Sequence, residues 1–424
     1  MAPFITCLTS LAILSQLGAT ADPLPSFANP PASSRPKFRY WLPDASVPVS
    51  AVKADVAALA DISAGGLEFL GFYNYGFPPF STDWSIYGFG TPAFKEVFKG
   101  ALSTAAENKL VLDFAIGPAT GSGVPAIPRT EGLAMELVYG SKTINASEKV
   151  GILPQPVLQF NHGFLNGWVH EPEDWGPSEL VAVVAAEVKE RRQRSGGGKA
   201  SLVVLNEDSV VDITNSTKNG RVEWEVPSSS RVSGKQWVVM AFYQRFSNER
   251  TCKTNGRPSS WIGNGSWVVD HFSAVGAKKA TDFWDQNIFN DAEIDRLTRQ
   301  VGMYSWEDSM EMMSPLWWTP DFLSRFKEAR GYSATVYLPV FFQARNLWNG
   351  YGEPYDTSYM FDGQPADGGK YAEDYRLTLN EGYQDFLREY QKWAVARGME
   401  HSAQPAYNMP LDMVCCFVQE LGLF

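Results

Sequence analysis

Three carboxylates crowd the end of one apolar stretch: Glu307, Asp308 and Glu311 follow Gly302 to Trp306, and Trp317 and Trp318 come shortly after. Carboxyl groups beside indole rings at the end of a strand suit cleavage of a glycosidic bond. One acid protonates the leaving oxygen, and a second carboxylate acts on the anomeric carbon directly or through water. The aromatic faces supply an apolar floor for the sugar ring. The plain alternative is a solvated acidic loop, since Glu and Asp are mostly exposed.

Other segments carry groups of the same kind. Tyr73 to Phe80, which includes Tyr75, is followed by Asp83, Trp84 and Tyr87, an aromatic density suited to a sugar platform or to a lid packed on itself. Gly117 to Gly123 has neither dinucleotide nor phosphate-loop spacing and reads as a substrate loop or a turn. The strand ending in Asp270 and His271 can orient a substrate hydroxyl, and a satisfied structural pair is the competing reading. From His401 to Asn408 polar side chains alternate, which directs Gln404 and Tyr407 toward a strand mouth unless Pro405 marks an interrupted edge strand.

The elements that must hold these groups follow a strand and helix rhythm. Phe38 to Leu42, Gly66 to Tyr73 and Leu110 to Ile116 read as strands. Between them lie a helix capped by Ser50 and running through Ser63, and one opened by Pro92 with Phe94, Val97, Phe98, Leu102 and Ala105 on one side. Such alternation builds a parallel sheet with crossover helices. Later, Thr281 is placed to cap a helix, Gly302 to Trp306 is a strand, and Thr319 with Pro320 opens a helix that stops at Gly331. Ala334 to Phe341 reads as a strand, Asn380 to Arg397 as an amphipathic helix, and Glu400 to Tyr407 as a last strand.

The middle of the chain has a different period. Arg221 to Val226 alternates charged and apolar residues, and Leu202 to Leu205 and Ser233 to Tyr243 are further strands, which predicts an antiparallel sheet. Ser178 as cap, Val181, Val184, Ala185 and Val188 on one face and the Gly196 to Gly198 stop predict a helix there. That helix belongs to the insertion or to the barrel; in the latter case the insertion starts near residue 200. The resulting fold class is α/β: an incomplete (β/α)8-type barrel with an antiparallel β-sandwich-like insertion. About six parallel strands are legible where closure needs eight. The expected division is a signal peptide at 1–21, the first part of the barrel at 22–150, the insertion at 151–270 and an incomplete second part at 271–424.

Composition narrows the partners. The 424 residues are 44% hydrophobic and 20% charged, ordinary globular values, but 14 are Trp, which favours ligand platforms as well as core. A formal charge of -11 with no basic stripe argues against nucleic acid, whose phosphates need clustered Lys and Arg. The apolar run Phe4 to Gly18, ending in Ala19-Thr20-Ala21, has the form of a cleavable secretory leader, although Lys and Arg are missing from its start. Acceptor sequons at Asn145, Asn215 and Asn264 agree with a secreted, extracellular product free of membrane spans. Cys252, Cys415 and Cys416 allow at most one disulfide, and scattered His162, His170, His271 and His401 argue against zinc.

Ordered motifs add a resemblance. Arg39 to Asp44, Gly66 to Gly76, Asp113 to Pro118, Val269 to Ser273, Asp308-Ser309-Met310-Glu311, Trp318 to Asp321, Gly331-Tyr332, Tyr337 to Pro339, Gln404-Pro405 and Pro410 to Asp412 occur in this order. Together they resemble the secreted proteins related to glycoside hydrolase family 106, the α-L-rhamnosidases, over residues 38 to 412. The resemblance implies a (β/α)8 catalytic barrel, inverting hydrolysis and calcium near the site. It implies that Glu311 is a catalytic carboxylate, the general acid, and that Asp308, Asp270, His271 and Gln404 are substrate or calcium neighbours. Asp308 joins Glu311 in the expected catalytic pair, while Trp84, Tyr75, Tyr407 and Trp318 join the expected substrate contacts. Family enzymes continue through further acidic strands and accessory β-domains, whereas this sequence ends at Phe424. Two functions are therefore carried forward: a secreted glycoside hydrolase acting on a rhamnoside, and a truncated, inactive carbohydrate-binding relative.

Overall fold

The computed structural model describes residues 27–71, 82–118, 123–145, 147–158, 176–193, 201–232, 234–251, 265–310, 312, 314–343, 346–347, 354–365, 368–404 and 411. In chain order the main elements begin with strand β1 (Lys37–Leu42), helix α1 (Val49–Asp61), β2 (Gly66–Gly71), α2 (Pro92–Glu107) and β3 (Val111–Ala115). A run of strands follows: β4 (Met135–Asn145), β5 (Glu179–Gln193), β6 (Ser201–Leu205), β7 (Val211–Asp212) and β8 (Gln236–Phe246). Helices α3 (Ala274–Asn287) and α4 (Ala292–Val301) lead into β9 (Gly302–Glu307), β10 (Trp317–Trp318) and α5 (Phe322–Arg330). The last elements are β11 (Thr357–Phe361), α6 (Gly369–Val395) and β12 (Glu400–Ala403).

Local chemistry accounts for several boundaries. Thr91 accepts a hydrogen bond from the Phe94 amide at the start of α2, with Pro92 at the first helical position. Ser273 caps α3 and Asp291 caps α4 in the same way. Helix α5 ends where Gly331 takes φ +79°, a backbone conformation that a side chain would strain.

Five strands make an all-parallel sheet in the order β1-β2-β3-β9-β12. One face packs under helices: Leu67, Phe69, Leu112 and Phe114 share a core with Val52 and Val56 of α1, Phe94 and Phe98 of α2, Leu297 of α4 and Tyr390 of α6. Among the described residues the sheet is open, with five strands where a closed barrel needs eight. It is a mixed α/β half-barrel, and a complete (β/α)8 barrel is more than these strands form.

A second, seven-stranded sheet runs in the order β10-β4-β8-β5-β6-β11, with β7 also paired to β5. Its pairings are antiparallel except for β6 with β11. The strands come from residues 135 to 361, on both sides of the 151–270 stretch that sequence period marks out. Among the described residues its two faces meet different layers, one of which carries a short three-stranded sheet of Gly151–Ile152, Thr217–Lys218 and Arg221–Val222. Val138, Val183, Ala185 and Val239 pack on one side with Val150, Leu153, Val222 and Val226, while Ala182, Val184 and Phe242 join the main core.

Five expected elements differ from the structure. The helix read from Ser178 to the glycine triplet is the long strand β5, because both faces of its apolar run are covered and each alternate set of residues enters a different core. An apolar run buried on both sides shows no clear period. Thr281 lies inside α3 rather than at a cap, since Ser273 already serves that end. Helix α5 starts after Asp321, and the Thr319 hydroxyl instead donates to Asp270 Oδ2 at 2.7 Å. Thr335–Val340, expected as a strand, is a 3-10 helix containing Pro339. In the Arg221 to Val226 segment only Arg221–Val222 pairs, yet Val222 and Val226 are both buried between exposed charges.

Candidate active site

The parallel sheet has a second face, turned away from its helices, and it is lined with charge. Register places Arg39 beside Glu68 and Glu68 beside Asp113, so the three side chains form a row on that face. The next row toward the strand ends is Trp41, Leu70, Ala115 and Trp306, of which the last three form a small buried cluster. Alternation then directs Asp308, just past β9, to the same side. Arg39 binds the row together: its Nε lies 3.2 Å from Glu68 Oε2, and its guanidinium sits 4.6 Å from the centre of the Trp306 ring. Lys37 pairs with Asp113 and also lies 4.8 Å from the Tyr304 ring centre. Trp41 is 52% exposed on this face, a large apolar surface where a ring could stack.

The electrostatics favour proton donation. Burial raises the pKa of Asp308 above its ordinary value, against the opposing hydrogen bond from the Ser309 amide and the charge of Arg39. Burial also raises Glu68, with Arg39 pulling it down and the like charges of Asp113 and Asp308 pushing it up. Asp113 is raised by burial and partly restored by Lys37. Carboxyl groups whose pKa is raised by burial at the mouth of a parallel sheet suit a general acid.

The opposite side of the β9 end is dry. Glu307 is 1% exposed, and its Oε1 lies 2.8 Å from His271 Nε2. His271 Nδ1 lies 2.8 Å from the Val269 carbonyl, and the ring stacks on Phe386 at 4.6 Å. Asp270 accepts from the Phe272 amide, the Ser273 hydroxyl and the Thr319 hydroxyl. Its pKa is raised by burial, with those bonds opposing.

The expected substrate contacts lie in different surroundings. Asp270 and His271 are buried, and their polar atoms are bonded within the protein, so they support the strand end. Trp84 is buried with its indole N–H 3.3 Å from Asp44 Oδ2, and Trp318 is buried with its N–H bonded to Gln244. Neither presents a ring face to solvent. Gln404 is at the strand end, its backbone N–H donating to the Glu307 backbone carbonyl at 2.9 Å. Tyr75, Glu311, Tyr407 and the sequon at Asn264 lie outside the described residues, as does the leader at 1–21; Asn145 and Asn215 are exposed.

Sequence reasoning passed over Arg39, Glu68 and Asp113. Each is a charged residue inside an otherwise apolar strand, and that is a usable signal: a buried parallel strand keeps charge only where one face meets something other than helices. Among the described residues no three His, Cys, Asp or Glu side chains form a group that could hold a metal ion. No helix among them is long and apolar enough to cross a membrane.

Comparison with known proteins bears on the same stretch. The α-L-rhamnosidase family model, glycoside hydrolase family 106, matches residues 181–344, a span that contains Asp270, His271, Glu307 and Asp308. The structure of a rhamnosidase from Novosphingobium sp. PP1Y superposes with a TM-score of 0.63 at 15% identity, over 92% of this chain and 48% of that one. This chain thus spans about half the length of that enzyme, and at such identity the likeness is one of fold. No curated protein matches.

Proposed function

We propose that this chain is a secreted glycoside hydrolase that cleaves an α-L-rhamnoside with inversion. The observation that carries the reading is Asp308, a carboxyl group with a raised pKa on the polar face of a parallel sheet, inside the stretch matched by the rhamnosidase family model. Asp308 takes the part of proton donor to the leaving oxygen that the resemblance gave to Glu311, and Glu311, three residues on, supplies the partner carboxylate. Arg39 and Glu68 hydrogen-bond sugar hydroxyls, and Trp41 offers the apolar floor. Inversion needs the two carboxyl groups roughly 6.5 to 9.5 Å apart, with a water between them. Exposure of Asn145 and Asn215 supports passage through a secretory route. No step of this mechanism runs through the calcium that the resemblance implies.

The test is hydrolysis of 4-nitrophenyl α-L-rhamnoside by the purified chain, its Asp308→Asn variant and its Glu311→Gln variant. Removing a general acid or base lowers kcat by about 100-fold to 10,000-fold. Proton NMR of the first-formed sugar shows the β anomer if inversion is correct. Rhamnose binding without turnover in the parent would replace the hydrolase reading with that of a carbohydrate-binding relative, and equal rates in parent and Asp308→Asn would remove Asp308 from the chemistry.

A further inference from the structure

The strand end behind the acid carries a feature that packing alone does not account for. Glu307 and Asp308 are adjacent and point to opposite faces of the sheet, so whatever fixes the Glu307 side chain also fixes the peptide from which Asp308 projects. Glu307 is held twice. Its carbonyl accepts the Gln404 amide at 2.9 Å, and its Oε1 meets His271 Nε2 at 2.8 Å. The histidine is itself immobilised, because the Val269 carbonyl can only accept and so assigns a proton to Nδ1, and because Phe386 of α6 stacks on the ring. The pair therefore shares one further proton between Nε2 and Oε1, either as imidazolium with carboxylate or as imidazole with carboxylic acid. Glu307 Oε2 is buried with no hydrogen bond among the described residues. An apolar side chain of similar volume would close this strand end more favourably than a half-satisfied acid, since breaking even with a buried ion pair requires every polar atom to be matched.

We propose that the Glu307–His271 pair is a positioning device that sets the aim of Asp308 across the sheet. The inference rests on the reading of Asp308 as the proton donor. Both residues act through the backbone of β9 and do not touch the substrate.

The experiment measures kcat and KM separately on 4-nitrophenyl α-L-rhamnoside for the parent, Asp308→Asn, Glu307→Ala and Glu307→Gln. Glutamine can donate an uncharged hydrogen bond to His271 Nε2, so Glu307→Gln keeps most of kcat. Alanine frees the strand end, and a misplacement near 1 Å lowers kcat by about 100-fold with KM little changed. A purely structural role predicts instead a lower melting temperature in both variants with kcat of the folded fraction unaltered. If Glu307→Ala does not fold, His271→Phe takes its place: it keeps the stack on Phe386, removes both ring nitrogens, and is expected to lose kcat in the same way. A parent that hydrolyses the glycoside and fails as Asp308→Asn, yet keeps its kcat in Glu307→Ala or His271→Phe, overturns the positioning role and leaves the hydrolase reading standing. A parent that leaves the glycoside intact removes both.

Discussion

Replacing Gly382 with alanine tests the packing that brings α6 against the His271 segment. Gly382 is buried in the middle of α6, and a β-carbon built on it would lie 2.3 Å from the Phe272 carbonyl oxygen and 3.0 Å from its carbon. These are backbone atoms, so no side chain can swing aside. The two segments would have to separate by about 1 Å to reach an ordinary contact, and overpacking of this kind costs about 1 to 3 kcal/mol. Opposing it is the helix preference for alanine over glycine, about 1 kcal/mol. The net expectation is a loss of up to about 2 kcal/mol. Urea unfolding at constant pH reads this as a lower midpoint with an unchanged slope. Because Phe272 follows His271, the displaced segment also pulls the imidazole from Glu307, and kcat should fall further than stability alone explains. A Gly382→Ala protein more stable than the parent would mean that α6 does not press on this turn, and the close-approach argument would be wrong.

Further expectations follow from the sheet and the site. Val183→Asp and Val184→Asp should each prevent soluble folding, since the two side chains enter different cores from one strand; a well-folded Val183→Asp protein would restore the helical reading of that segment. With Asp308 as proton donor, activity requires its protonated form, so kcat should be high below its raised pKa and decline as pH rises through it; a rate that only increases through that range would assign the group another role. Expression through a eukaryotic secretory route should place glycans on the exposed Asn145 and Asn215, seen as a mobility shift after amidase treatment that Asn145→Gln and Asn215→Gln each reduce. Absence of a shift in the parent would count against passage through that route.

What the sequence determined by itself is the local grammar. Thr91-Pro92 before an apolar face starts a helix because the threonine oxygen meets a free amide and proline already has helical φ, and Gly331 ends one because only glycine takes that turn without strain. The short strands Lys37–Leu42, Gly66–Gly71 and Gly302–Glu307 were legible for the same reason, as was the approach of acids to the end of β9. Tertiary structure decided what period could not carry. Glu179–Gln193 is a strand because β6 and β8, at other points of the chain, hydrogen-bond along its edges while two different cores cover its faces. His271 and Asp270 look like ligands in sequence, and only the fold shows their polar atoms consumed by Glu307, Val269, Ser273 and Thr319. Which of two adjacent acids, Glu307 or Asp308, faces water depends on which side of the sheet the helices occupy. Alternation separates the pair, and long-range packing assigns the sides.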